Sequence, residues 1–358
     1  MGAFRPKDRD VDVITTGVSQ QAPPDWDDYV LAHPGGNVFQ LGSAVLIGNR
    51  VFGLPTHFIT ARDGDGRLRG VLPLVEQTMI PWTRCLVSLP CCTYGGPLTD
   101  DGEVLTSLVQ RAEILGEQRG AARIILRHVG EVPSLAYPAG LDKVSMVLQL
   151  PGTKEELSKR LGAKMRSQIR RADREKPQVR FGHAELLGDF YGVFCSVMRD
   201  LGTPVYPKRF FDAVFGALVE RAAAVVIYLD GSPVSGGVMI HWRDRIKVPW
   251  AGTLHAVNPM SINMRLYWEL LQLAIERQCS VFDFGRCTRD GGTYRFKSQW
   301  GAEQVQLFWR TNDLAGIDKA NAVLNQRSKL ESAVKIWRKL PLSLTNRVGP
   351  IISPRLPW

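Results

Sequence analysis

The chain has 358 residues, a 44% hydrophobic and 22% charged composition and a formal net charge of +10, which is the make-up of a globular protein long enough for two domains. No stretch approaches the roughly 20 apolar residues needed to span a bilayer, and the polar opening Met1–Asp10 lacks the apolar run of a secretory signal. The six cysteines (Cys85, Cys91, Cys92, Cys195, Cys279, Cys287) form no CxxC pair and have no Cys/His ligand spacing, so they read as reduced thiols of a cytoplasmic protein with no metal site.

In chain order, a polar N-terminal segment (1–19) precedes a helix over 26–32, which ends at His33-Pro34-Gly35-Gly36. Residues 56–62 and 67–75 read as a hairpin across Asp63-Gly64-Asp65-Gly66. A strand at 83–89, the turn-rich Cys91–Pro97, a helix over 102–119 and strands at 122–126 and 144–150 complete a first half, 20–151, closed by Pro151-Gly152.

The second half, 152–312, opens with one helix over 153–174, whose Leu157, Leu161, Met165 and Ile169 make an apolar stripe. A strand at 178–183, helices at 186–199 and 207–221, a meander of strands (223–229, 233–242, 245–251), a helix over 261–277 and strands at 280–284 and 304–310 follow. Strand, two helices, three antiparallel strands, helix, strand, helix or loop, strand is the element order of a GNAT acyltransferase domain, and the first half repeats it loosely. The expected fold is mixed α/β (α+β), two tandem GNAT-like domains with mixed, mainly antiparallel sheets. After them, 314–340 reads as an amphipathic helix and the rest, within 313–358, as an irregular tail. The basic side of that helix suits a peripheral contact with anionic lipid.

Between Lys159 and Arg171 lie six basic residues and no acid. Lys164, Arg166 and Arg170 have no glutamate at i±4 to offset them and are candidate phosphate ligands for a polyanionic donor or a nucleotide- or lipid-linked precursor. DNA is not expected as a partner. Residues 281–301 concentrate chemistry: a buried strand carrying Asp283, then Arg286, Thr288, Tyr294 and Lys297 within twelve residues of a glycine-bearing loop. Lys297, shielded by Phe296, could stabilise an oxyanion during acyl transfer. Asp283 is the candidate general base, and Arg286, Thr288 and Tyr294 are candidate substrate ligands. Arg199 and Thr203 in Met198–Val205 are candidate cleft residues, Tyr94 could present its hydroxyl to an acceptor, and Cys287 beside Arg286 could be a nucleophile if its thiol were acidic. The histidines sit singly. Gly-x-Ser-x-Gly, Walker and dinucleotide-binding motifs are absent, which leaves hydrolase, NTPase and oxidoreductase readings without support.

Tyr294-Arg-Phe-Lys-Ser-Gln-Trp-Gly301 resembles the Phe-Lys-x-x-aromatic-Gly signature of the Fem peptidyltransferases. His33-Pro34 with Phe39, Gly70–Leu74, Leu86–Pro90 with Tyr94-Gly-Gly96, Met198–Val205 and Phe282-Asp-Phe-Gly-Arg286 are similar to FemAB-related proteins of exosortase/PEP-CTERM exopolysaccharide systems. The resemblance covers about residues 20–312; it departs at Cys287, where Ser is expected, and lacks the coiled-coil arm of the tRNA-dependent enzymes. It implies transfer of an acyl or aminoacyl group to an amine of a cell-envelope (peptidoglycan-like) or exopolysaccharide precursor at the cytoplasmic face of the membrane. It assigns transition-state stabilisation to Phe296 and Lys297. No firmly bound cofactor is expected. The donor would be an aminoacyl-tRNA or other carrier-bound acyl group ahead of acetyl-CoA, because Ala251–Pro259 does not match the Arg/Gln-x-x-Gly-x-Gly/Ala pyrophosphate loop. CoA-dependent N-acylation of a sugar and a non-catalytic precursor-binding protein are the alternatives.

Overall fold

The computed structural model describes residues 14–80, 82–130, 137–314 and 332–356. In the first half, β1 (Thr15–Ser19) and short helices α1 (Trp26–Ala32), α2 (Gly42–Val45) and α3 (Ile47–Phe52) precede the meander β2 (Thr56–Arg62), β3 (Leu68–Met79), β4 (Thr83–Val87). Then come α4 (Gly102–Gln118), β5 (Arg123–Val129), β6 (Ala139–Gly140) and β7 (Lys143–Gln149). Asp101 caps α4 by accepting hydrogen bonds from the Glu103 and Val104 amides. The second half runs α5 (Lys154–Arg160), α6 (Ala163–Arg174), β8 (Gln178–Gly182), α7 (Leu187–Leu201), α8 (Lys208–Ala217) and the meander β9 (Ala222–Leu229), β10 (Ser232–Trp242), β11 (Arg245–Thr253). It ends with α9 (Ile262–Glu276), β12 (Val281–Thr288), α10 (Gly292–Ser298) and β13 (Glu303–Asp313). The mixed α/β, tandem GNAT-like architecture is as the element order requires.

The strands of the described residues join one sheet in the order β1-β2-β3-β4-β5-β13-β7-β12-β11-β10-β9-β8, with β6 on β13. The expected boundary at 151 is not an edge of this sheet. β7, the last strand of the first half, pairs with β12, while the end of β13 pairs with β5. Each half thus gives its last strand to the other's sheet, and the two exchanged strands pair with each other. One apolar core is also shared, running from Trp26, Phe39 and Phe58 to Phe190, Phe211 and Trp250.

Two helical expectations are corrected. The helix over 153–174 is two helices: Leu161 is extended (ψ 134) and Gly162 precedes α6. Leu157, Leu161, Met165 and Ile169 are nevertheless all buried, so the stripe survives the break. The break frees carbonyls at the end of α5, and the Arg166 guanidinium donates to those of Ser158 and Leu161. Most of the expected helix 314–340 lies outside the described residues. The tail beyond it is not irregular: α11 (Leu342–Ile352) packs on α7, and the Pro354 carbonyl accepts a hydrogen bond from Gln77 of β3. No helix among the described residues is long and apolar enough to cross a membrane.

Candidate functional site

β11 and β12 run parallel and pair only at Arg245–Lys247 with Val281–Asp283, then splay apart. Phe282 and Phe284 alternate into the core beneath α9, which puts Asp283 on the opposite face. Gly285 breaks the alternation. It takes φ +76, and a Cβ there would lie 2.9 Å from the Val248 carbonyl oxygen, so glycine is needed on both counts. The register with β7 shifts here, which is a bulge. Its effect is to turn Arg286 away from the Phe284 side and to return Cys287 to the core.

Arg286 lines a cavity of about 340 Å³ at the splay, between the two halves. Phe39 and Cys91–Thr93 form one wall; Phe194, Met198, Thr203, Pro204 and Tyr206 form a second; Lys247, Pro249, Trp250 and Ala251 of β11 form a third. Gly202, in the left-handed region (φ +77), ends α7 and delivers Thr203 to the wall. Among the described residues no carboxylate lines the cavity.

Its cations are held in two ways. Lys247 Nζ lies 3.3 Å from Asp283 Oδ2 and 4.2 Å from the centre of the Tyr94 ring. Burial works against its charge, but Asp283 and Tyr94 outweigh it and its pKa is raised. Arg286 stacks 5.0 Å from the Trp309 ring and makes no ion pair among the described residues; its enclosure lowers its pKa. Arg127 stacks on the same indole at 4.1 Å and donates to the Pro90 and Cys92 carbonyls, so it holds the Cys91–Thr93 wall. Burial brings its pKa down to about 9.

The sequence-derived candidates separate accordingly. Arg286 and Thr203 reach the cavity; Tyr94 carries Lys247 on its ring and faces a neighbouring cavity of about 450 Å³. Asp283 is 1% exposed, accepts from Ser145 Oγ (2.7 Å) and the Gly285 amide (2.8 Å), and does not line the cavity. Burial would raise its pKa, yet Lys247 and these two donors prevail and lower it. The general-base assignment is therefore corrected: Asp283 is the buried counter-ion of Lys247. Lys297, 4% exposed, approaches β12 from the α10 side and donates to the Gly285 (2.8 Å) and Arg286 (3.1 Å) carbonyls. It fastens the bulge from behind, and burial lowers its pKa to about 8. Phe296 packs on Tyr267 at 5.1 Å.

The remaining candidates lie elsewhere. Thr288 accepts from Lys143 Nζ, and the Tyr294 hydroxyl donates to Gln304. Arg199 forms a surface pair with its neighbour Asp200, not a cleft wall. Lys164 and Arg170 are exposed on α6, and Arg166 is occupied with α5. Burial raises the Cys287 thiol, which removes the reason to make it a nucleophile. Lys247 was missed; the available signal was a lysine between apolar Ile246 and Val248 in a strand that enters the core. Among the described residues no group of His, Cys, Asp and Glu is placed to hold a metal.

This is an acyltransferase fold of the GNAT type in tandem form, with the cavity where the parallel strands part. Residues 159–298 match the family described as acetyltransferase (GNAT) domain. Among solved structures the chain is similar to FemX, at 15% identity and a TM-score of 0.67 over 87% of this chain and 99% of that one. It is also similar to L-PGS from Bacillus licheniformis (14%, TM-score 0.56, 87% and 98%). A third likeness is to a tandem GNAT protein from the clavulanic acid biosynthesis pathway (11%, TM-score 0.55, 86% and 100%). No curated protein matches the sequence.

Proposed function

We propose that the chain transfers an acyl or aminoacyl group to an amine, and that one of its two substrates is held through phosphate by Arg286 and Lys247. The observation that carries the reading is a largely enclosed guanidinium that, among the described residues, has no ion pair and faces a cavity without a carboxylate. A buried cation needs a counter-charge, and in this cavity the substrate would supply it. Lys247 is neutralised by Asp283, so Arg286 sets the net charge of the wall. A nucleotide- or lipid-linked envelope or exopolysaccharide precursor fits this requirement, and the resemblance of Tyr294–Gly301 to the Fem peptidyltransferase signature points to the same acceptor class.

In this scheme the acceptor amine, as the free base, attacks the donor carbonyl in the splay between β11 and β12; the tetrahedral intermediate collapses by breaking the acyl–carrier bond, and the carrier departs with the proton that the amine gives up. Lys297 lies behind β12, outside the lining of the cavity, and its N–H donors hold the bulge that aims Arg286. It serves by positioning that arginine, in place of the direct oxyanion contact expected of it. An aminoacyl-tRNA or other carrier-bound donor remains the preferred one. β11 runs into a 3₁₀ turn, His255–Met260, and the α9 N-cap, Ser261, makes no side-chain cap hydrogen bond.

Titration calorimetry with inorganic pyrophosphate tests the anion site. Binding should weaken with salt and fall about tenfold or more in Arg286→Met, the scale of one charged hydrogen bond. Failure of the wild type to bind, or equal binding by the variant, overturns the assignment. Mass analysis of envelope polysaccharide from a strain carrying Arg286→Met would then identify the group transferred.

A further inference from the structure

From Ser332 to the C-terminus the chain carries five basic residues, Lys335, Arg338, Lys339, Arg347 and Arg355, and no acid. The same segment exposes large apolar side chains: Ile336 is 63% exposed, Leu344 42% and Ile351 58%. α11 is packed the opposite way to an ordinary surface helix. Its buried residues are Thr345 and Gly349, the latter against Val205, while Leu344, Arg347 and Ile351 share its outer face at i, i+3, i+7.

The turn between β3 and β4 continues this surface. Trp82 is 72% exposed and Ile80 48%. The Arg355 guanidinium lies 5.7 Å from the Trp82 ring centre, its carbonyl accepts from the Ile80 amide, and it donates to the Ile351 carbonyl. One cation is thus set among Ile80, Trp82 and Ile351. A second, Arg338, donates to the carbonyl of Leu201, which is 56% exposed.

We infer that this face docks on an anionic lipid surface. Outward aliphatics and a tryptophan enter the headgroup boundary, and cations at the same level meet lipid phosphates. The segment brings only cations to this face, and the acid beside Leu201, Asp200, is paired with Arg199. The excess of positive charge selects a bilayer over a protein partner, whose polar rim would call for both signs. The surface is separate from the cavity, so the inference does not depend on the proposed reaction.

The test is co-sedimentation of the full chain with vesicles of phosphatidylcholine alone or mixed with phosphatidylglycerol. Binding should require phosphatidylglycerol and weaken with salt. Arg347→Gln should weaken it about fivefold; Trp82→Ser and Ile351→Ser should weaken it at least as much, with the melting temperature unchanged because the replaced side chains are exposed. Arg170→Gln on α6 should leave it intact. The inference fails if the wild type ignores phosphatidylglycerol, if the three variants bind as the wild type does, or if only Arg170→Gln weakens binding. It also fails if the wild type is a dimer that Ile351→Ser dissociates, since a second copy then covers the face.

Discussion

Replacing Lys297 by Met gives the sharpest test of the bulge. The lysine pKa falls from 10.5 to about 8 because burial opposes the charge. Between those values the unfolded chain binds a proton that the folded chain has released, so the lysine's contribution to stability rises with pH across this window. It is lost as pH falls through the folded pKa, where the ammonium is retained at a penalty on the order of 3 kcal/mol. Methionine fills similar volume and does not titrate. Relative to Lys297→Met, the wild type should therefore gain about 2 kcal/mol of unfolding free energy between about pH 7 and about pH 9.5. Urea denaturation of both proteins at the two pH values measures it, and titrations elsewhere cancel in the difference. A difference that does not change with pH would refute the burial of a charged Lys297. Pyrophosphate affinity should fall in the same variant, because Arg286 loses the support behind it.

Three further outcomes follow from the geometry. Gly285→Ala forces a Cβ against the Val248 carbonyl at φ +76 and should cost about 2 kcal/mol or more, read as a lower denaturation midpoint with weaker pyrophosphate binding. Lys247→Met strands the Asp283 carboxylate and should destabilise by about 3–5 kcal/mol; adding Asp283→Asn should recover a large part of this, and no recovery would contradict the ion pair. Arg166→Ala uncovers the carbonyls at the end of α5 and should lower stability by about 1 kcal/mol without changing pyrophosphate affinity, whereas a loss of affinity would restore Arg166 as a phosphate ligand.

The element order was legible because its periodicities are local: the 223–251 meander alternates with turns, and the hairpin over 56–75 announces itself at Asp63–Gly66. The break at Leu161–Gly162 was hidden because the four-residue stripe continues through it. The strand exchange was illegible for a different reason, since β7 has the same alternating character whichever neighbour it pairs with. At the site, Arg286 and Thr203 could be found from loop composition, and Lys297 from its aromatic setting. Their division of labour could not. Whether a lysine faces a cavity or the back of a strand depends on the one-residue shift at Gly285, and Lys247 acquires its partner only across the parallel pairing with β12.

The exchange of β7 and β13 also governs how the molecule comes apart. A cut near residue 151 would leave each fragment with a foreign strand it cannot use and a gap where its own neighbour belonged, with hydrogen-bonding edges open on both sides of the gap. The halves are therefore expected to melt in a single cooperative transition. The wall of Cys91–Thr93 and the wall of Lys247–Ala251 then share one fate, and a substrate that binds between them stabilises the whole chain.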